Sequence, residues 1–310
     1  MLRQIADYDS NDYDYRTYWD GRDYERWAEE RVLRRLVPLL GAPEWLVDFG
    51  GGYGRNARHY RDRARHYVIA DASANNLRSA AVELRSDVAS GRAFLVRCDL
   101  HALPFRPNAF DAALVVRVLH HLGDIDQVLA QMAGAVSDRF LLDVPIKHHV
   151  LALMRGRRAI AGPAPLRTGT SEYPFWTFRL SAIQVTMARC GWRTRPVASV
   201  NNLRRWDRHV PPGLVRTLSP AAHLAELTAQ RLGRGWWGPS QFLLGHRVPA
   251  QRAIAAEVPP GIPPLAARMC CPACRGRLAW SPGLATCLSC GTPYPWDGAV
   301  WQFTVRAAED

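Results

Sequence analysis

The chain reads as an α/β protein: a doubly wound, mostly parallel seven-stranded sheet with a small metal-binding module behind it. Three observations predict this. Apolar runs of strand length alternate with helical patterns between residues 45 and 247, and alternate glycines follow the first run, in Val47-Asp48-Phe49-Gly50-Gly51-Gly52-Tyr53-Gly54. Two Cys-x-x-Cys pairs then lie near the C-terminus.

The elements follow in order. Trp27, Val32, Leu33, Leu36, Val37 and Leu40 recur at helical spacing over 24–41, stopped by Gly41 and Pro43. Next come strand 45–50, helix 54–63, strand 66–71, helix 74–88, strands 93–97 and 111–116, helix 124–135 and strand 139–144. A helix at 180–190 and strands at 194–200 and 240–247 complete the sheet. Between the last two strands, residues 201–239 form an insertion carrying Leu224, Leu227 and Leu232 on a helical pattern and the pair Trp236-Trp237. Its two readings are a cover for an active site and ordinary packing on the sheet.

The domain plan is an N-terminal acidic and aromatic segment with its helix (1–40), a large domain (41–248), a linker (249–268) and a terminal module (269–310). The linker carries Pro249, Pro259, Pro260, Pro263 and Pro264. No run reaches the roughly 18 apolar residues of a spanning helix, so the expectation is a soluble, cytoplasmic protein without a membrane partner. The formal charge is +12, yet residues 1–30 hold nine acids against four arginines. The rest of the chain is therefore strongly basic, a field that favours an anionic partner.

The glycine loop suits a strand that turns sharply into a helix, where backbone N–H groups can face a cofactor. Its GxGxG pattern is followed by Arg55, so the dinucleotide fingerprint fails at its third glycine. Asp71, ending the second strand, can accept from both ribose hydroxyls. Asp99, ending the third, can accept from an exocyclic adenine amine beside the Leu100 N–H. Through VDFGGGYGRN, VIADASANNL, CDLHALPF and FDAALVVRVLHHLGD, the chain resembles class I S-adenosylmethionine-dependent methyltransferases over about residues 40–250. The resemblance implies a Rossmann-like sheet. It further implies that Asp48, Gly50, Gly52 and Gly54 line the methionine and ribose portion, Asp71 the ribose, Asp99 and Leu100 the adenine, and Arg117 with Val118 the floor beneath the sulfonium.

Methyl transfer from a sulfonium needs alignment, exclusion of water and, for a protonated acceptor, a base. His120 and His121 are the candidate catalytic residues, with His148, His149 and Tyr173 also near the carboxyl edge. No Asn/Asp-Pro-Pro-Tyr/Phe motif follows the fourth strand and no Pro-Cys dipeptide is present, so neither an exocyclic-amine nor a cytosine-C5 nucleic-acid enzyme is indicated. Cys98 and Cys190 read as structural.

Cys271, Cys274, Cys287 and Cys290 form two knuckles twelve residues apart, the spacing of a closed tetrahedral zinc site. Residues 268–304 resemble the small zinc-ribbon partner domain found with some RNA and protein methyltransferases. A module this small needs its metal to fold.

Three functions stay open. The first is methyl transfer to a small molecule held beneath Tyr13, Tyr15, Tyr18, Trp19 and Tyr24 and the 201–239 insertion. The second is an RNA methyltransferase gripping phosphates with the ribbon and Arg155, Arg157 and Arg158. The third is a non-catalytic cofactor-binding protein that docks a protein partner through the ribbon.

Overall fold

The computed structural model describes residues 15–304 apart from 151, 153–161, 163, 171–173, 205, 207–209, 250 and 252–257. Tyr13, Arg155, Arg157, Arg158 and Tyr173 lie outside the described residues.

A 3-10 turn over Tyr15–Trp19 precedes helix α1 (Asp23–Leu36), whose Ala28, Val32, Leu33 and Leu36 are buried on one face. A second 3-10 turn, Val37–Leu40, carries the chain to Gly41, which turns at φ +78°. Strand β1 (Trp45–Phe49) follows, buried at all five positions because it is flanked by strands on both sides and covered on both faces.

Helix α2 is short, Ala57–Tyr60, because the chain from Gly50 to Asn56 stays in turns. Then come β2 (His66–Asp71), α3 (Ala74–Glu83), α4 (Arg85–Ala89), β3 (Ala93–Cys98), β4 (Phe110–Val115), α5 (Ile125–Ala135) and β5 (Val136–Pro145). Ser73 caps α3, its side chain accepting from Asn76 N at 3.1 Å. A hairpin of β6 (Leu166–Gly169) and β7 (Pro174–Thr177), helix α6 (Leu180–Arg189), β8 (Trp192–Val200), α7 (Pro212–Leu232) and β9 (Ser240–Arg247) complete the larger part. The C-terminal part contributes β10 (Leu278–Ser281), β11 (Leu284–Cys287), β12 (Pro293–Pro295) and β13 (Val300–Phe303).

Among the described residues the central sheet has eight strands in the order β13-β3-β2-β1-β4-β5-β9-β8, parallel up to β5 and antiparallel beyond it. The eighth strand, one more than the sequence predicts, comes from the C-terminal four-cysteine segment. β13 lies parallel to β3, with Val300 opposite Leu95 and Phe303 opposite Cys98. The remaining ribbon strands form their own antiparallel sheet, β10-β11-β12.

Two apolar layers sandwich the sheet. One joins Val47, Phe49 and Leu142 to Leu129 and Met132 of α5 and to Ile183 and Met187 of α6, and runs on into Leu265, Met269, Tyr294 and Phe303. The other joins Leu46, Ile69 and Leu114 to Val32 and Leu33 of α1 and Leu77 of α3. The ribbon and the larger part thus share a core.

Helix α7 of the 201–239 insertion packs against β8 and α1. Its one carboxylate, Glu226, is fully buried and accepts from Tyr24 Oη at 2.7 Å and from the backbone N–H groups of Asn201 (3.1 Å) and Asn202 (2.9 Å). These contacts pack the helix of the insertion on β8 and α1. No helix among the described residues is long and apolar enough to cross a membrane.

Candidate active site

At the carboxyl end of β1 the three alternate glycines take positive φ: +65° at Gly50, +55° at Gly52 and +80° at Gly54. Their surroundings differ. A Cβ on Gly50 would lie 2.4 Å from Val118 Cγ2, and one on Gly54 would lie 2.9 Å from Leu84 Cδ1, so both positions are closed by packing. A Cβ on Gly52 would meet nothing nearer than Asn76 Nδ2 at 4.0 Å. Gly52 is therefore where the loop opens.

Asp71 locks this loop. Its Oδ2 accepts from Gly52 N and its Oδ1 from Ser73 N, each at 2.9 Å, which ties the glycine turn to the start of α3. Asp48 lies beneath the loop, 1% exposed, with the Tyr60 hydroxyl donating to it at 2.9 Å. Burial pushes its carboxyl up to about 7. At the end of β3, Asp99 Oδ1 accepts from His101 N at 2.9 Å and stands 2.9 Å from His101 Nδ1, while the Leu100 side chain is buried.

Beyond β4, Arg117 adopts φ +61° and its N–H donates to Asp143 Oδ2 at 3.2 Å. Its guanidinium stands 3.5 Å from Glu29, bonds the Tyr18 hydroxyl, and lies 4.6 Å from the Tyr18 ring and 5.1 Å from the Trp19 ring. Arg55 pairs with the other Glu29 oxygen and lies 4.6 Å from the Trp19 ring. Tyr18 and Trp19 are thus fastened to the glycine loop through Arg55 and to the end of β4 through Arg117.

His120 and His121 occupy a 3-10 turn, Leu119–His121, with ring centroids 3.8 Å apart. His120 also packs on Phe175 of β7 at 4.7 Å, and the Trp176 ring lies against Gly123. Burial, then the neighbouring His121 and Arg117, hold His120 well below its ordinary range. Burial and Arg117 hold His121 down at about 4. Both rings are neutral at neutral pH, so each has a ring nitrogen that can accept a hydrogen bond.

The structure thus brings Asp48, Gly50, Gly52, Gly54, Asp71, Arg117 and Val118 to one loop cluster, with Asp99 and Leu100 at the end of β3 and the two histidines beyond β4. Glu29 and Asp143 belong to the same cluster, and sequence reasoning missed both. Asp143 had a signal, since it interrupts the apolar run Phe140-Leu141-Leu142-Asp143-Val144 of a strand. Glu29 had a weaker one, lying next to Ala28 on the buried face of α1.

In the C-terminal part, the sulfurs of Cys271, Cys274, Cys287 and Cys290 all lie within 4.8 Å of one another, with Cys271 and Cys290 3.7 Å apart and Cys274 and Cys287 3.4 Å apart. Tetrahedral zinc with bonds of about 2.3 Å requires about 3.8 Å between sulfurs, so the set fits that ion. Its surroundings suit thiolates as well. Ser289 N and Cys290 N donate to Cys287 Sγ at 3.4 and 3.5 Å, the Tyr294 hydroxyl stands 3.0 Å from Cys271 Sγ, and the Thr292 hydroxyl, 3.2 Å from Cys290 Sγ, holds that thiol down at about 6. A Cβ on Gly276 would lie 2.6 Å from Ser289 Oγ and 3.1 Å from Cys287 Sγ, so the knuckle packs tightly over this glycine.

Residues 47–138 match the family model described as a methyltransferase domain. The chain carries a methyltransferase domain. The matched residues span the glycine loop, Asp71, Asp99 and the two histidines. A solved protein from Listeria monocytogenes, assigned as an S-adenosylmethionine dependent methyltransferase, shares the fold with a TM-score of 0.50 and 12% identity over 71% of this chain and 97% of its own. An S-adenosylmethionine dependent methyltransferase from Mesorhizobium loti gives a TM-score of 0.48 and 17% identity over 71% of this chain and 98% of its own. A chain from a Haloferax volcanii complex between the Trm112 methyltransferase activator and a methyltransferase gives 0.49 and 14% over 76% and 99%. No curated protein matches the chain.

Proposed function

We propose that the enzyme methylates a small molecule held at the carboxyl edge of β4 and β5, between the Tyr18-Trp19 segment and the turn bearing His120 and His121. One observation carries this reading: aromatic side chains enclose that edge from two sides. Tyr18 and Trp19 lie on Arg117 and Arg55, and Phe175 and Trp176 of the β6-β7 hairpin lie against His120 and Gly123. Such walls suit a compact, partly apolar acceptor and exclude water.

The cofactor supplies an already activated methyl group. Its residues here are Asp48, Gly50, Gly52 and Gly54 for the methionine and ribose portion, Asp71 for the ribose, Asp99 and Leu100 for the adenine, and Arg117 with Val118 beneath the sulfonium. Gly52 is open to a ligand and Asp71 already orients its N–H, so that part of the site is organised before anything binds. His120 and His121, uncharged and beside the acceptor edge, are the candidate catalytic groups, placed to accept a hydrogen bond from a hydroxyl or amine acceptor and so to orient it. The four cysteines hold zinc as a closed, structural site.

The RNA reading has less support. The ribbon adjoins β3, whereas the acceptor edge is at β4 and β5, with β2 and β1 in between. At about 4.8 Å per strand spacing, β13 stands about 19 Å from β4. A ribbon there serves the adenine side of the sheet better than the acceptor side.

The test is incubation of the purified full chain with methyl-labelled cofactor, once with a cell metabolite extract and once with cell RNA. Label in the small-molecule fraction is expected. Label in RNA would overturn the acceptor assignment, and cofactor binding without transfer to either fraction would favour a non-catalytic binding protein.

A further inference from the structure

The loop that follows Asp99 is held by the ribbon. Arg275, between the metal knuckle's Cys274 and Gly276, donates from Nη1 to Leu103 O at 2.5 Å and from Nη2 to Phe105 O at 2.6 Å. Cys270 N donates to Pro104 O at 2.8 Å, so three consecutive carbonyls of the loop are taken by ribbon residues. Arg106 returns the grip, its N–H and Nε donating to Arg268 O and Met269 O, each at 2.9 Å. On the other side of Asp99, β13 pairs with β3 as far as Cys98 opposite Phe303. Residues 99–105 are therefore anchored at both ends by the C-terminal part.

Arg275 is itself set by the knuckle. It stands at φ +63°, and its N–H donates to Cys271 O at 2.9 Å, closing the turn that aims Cys271 and Cys274 at one point. The guanidinium can reach both carbonyls only while that turn is kept.

We propose that Arg275 is a positioning residue for cofactor recognition: by fixing loop 99–105 it presents Asp99 and the Leu100 N–H to the adenine edge, and the four-cysteine metal sets base selectivity through it. The inference rests on the adenine-side reading of Asp99 and Leu100. It goes beyond a bracing role, because a brace would change stability without changing which base is preferred.

The experiment uses the full, zinc-loaded chain and Arg275→Gly, which keeps the left-handed turn unstrained while removing both guanidinium bonds. Zinc content is measured first and is expected to be unchanged. Hydrogen exchange without cofactor should show lost protection confined to the amides of about residues 101–106. Calorimetry should show S-adenosylhomocysteine bound about tenfold more weakly, with its preference over S-inosylhomocysteine, which lacks the exocyclic amine, falling toward one. Arg275→Lys, which keeps one donor group, should fall between and serves in its place if the glycine variant does not fold. Unchanged protection and an unchanged preference would overturn the proposal. Asp99→Ala separates the two levels: if it abolishes the preference while Arg275→Gly keeps it, the positioning role is wrong and the site reading stands. If Asp99→Ala keeps the preference, the adenine-side reading itself fails.

Discussion

Replacing Asp48 with asparagine should stabilise this enzyme at alkaline pH and weaken its hold on the cofactor. Asp48 is almost wholly buried and its strongest partner is a neutral hydroxyl, that of Tyr60 at 2.9 Å. Burial moves its carboxyl from an ordinary 3.8 to about 7. Between those values the folded chain keeps a proton that the unfolded chain has released. Stability attributable to this residue therefore falls as pH rises from about 4 to about 7 and is level above that. The full excursion corresponds to about 4 kcal/mol, a large share of a domain's stability.

Asparagine is nearly isosteric, can accept the Tyr60 hydroxyl, and carries no charge to desolvate. Urea unfolding followed by circular dichroism from about pH 4.5 to 8.5 should show wild type and Asp48→Asn within about 1 kcal/mol of each other at the acid end. The variant should be more stable by up to about 4 kcal/mol at the alkaline end. A difference independent of pH, or one that favours the wild type as pH rises, would refute the reasoning. If the charge is kept for the ligand's sake, the stabilised variant should also bind S-adenosylhomocysteine more weakly.

Asp71→Asn should weaken cofactor binding no less than Asp71→Ala, by about 1–3 kcal/mol, because Gly52 N and Ser73 N each donate to a different oxygen and an amide must turn its NH2 toward one of them. Wild-type affinity in a calorimetric titration of either variant would count against the assignment. Methyl transfer should show no acid limb between about pH 6 and 8 from His120 or His121, both already neutral there. A limb in that range that disappears in His121→Gln would contradict the burial argument. Removing the metal with a chelator should melt the ribbon and the β3 edge in one transition, since Tyr294 and Phe303 stack at 4.7 Å and share a core with Phe105. Two separate transitions would show that the C-terminal part folds alone.

Much of this was legible because its signals are local. A run such as Val68-Ile69-Ala70-Asp71 places an acid at a strand end whatever surrounds it, and Cys-x-x-Cys carries its metal geometry in its spacing. What escaped depends on distant partners. Val300-Trp301-Gln302-Phe303 is an ordinary amphipathic strand, and nothing in it says that its partner is Leu95-Val96-Arg97-Cys98. Glu29 looks like one more charge on a helix of mixed charge until Arg55 and Arg117 arrive from two other elements to pair with it. Helix 54–63 contracted to Ala57–Tyr60, since Gly54 takes positive φ and the residues on either side of the helix stay in turns. Placing the 201–239 insertion depended on Glu226 meeting Tyr24, a contact no local pattern encodes.

The pairing of β13 with β3 also bears on how the chain is made. β3 leaves the ribosome early, and its outer edge presents unpaired N–H and C=O groups until Val300–Phe303 have been synthesised and have docked. Throughout that interval the nascent protein carries an open strand edge beside residues 99–105, so the docking of Val300–Phe303 is the event that seals the edge. Slow translation of the C-terminal stretch would lengthen exposure to aggregation, and chaperone demand during synthesis follows from topology rather than from low stability of the finished fold.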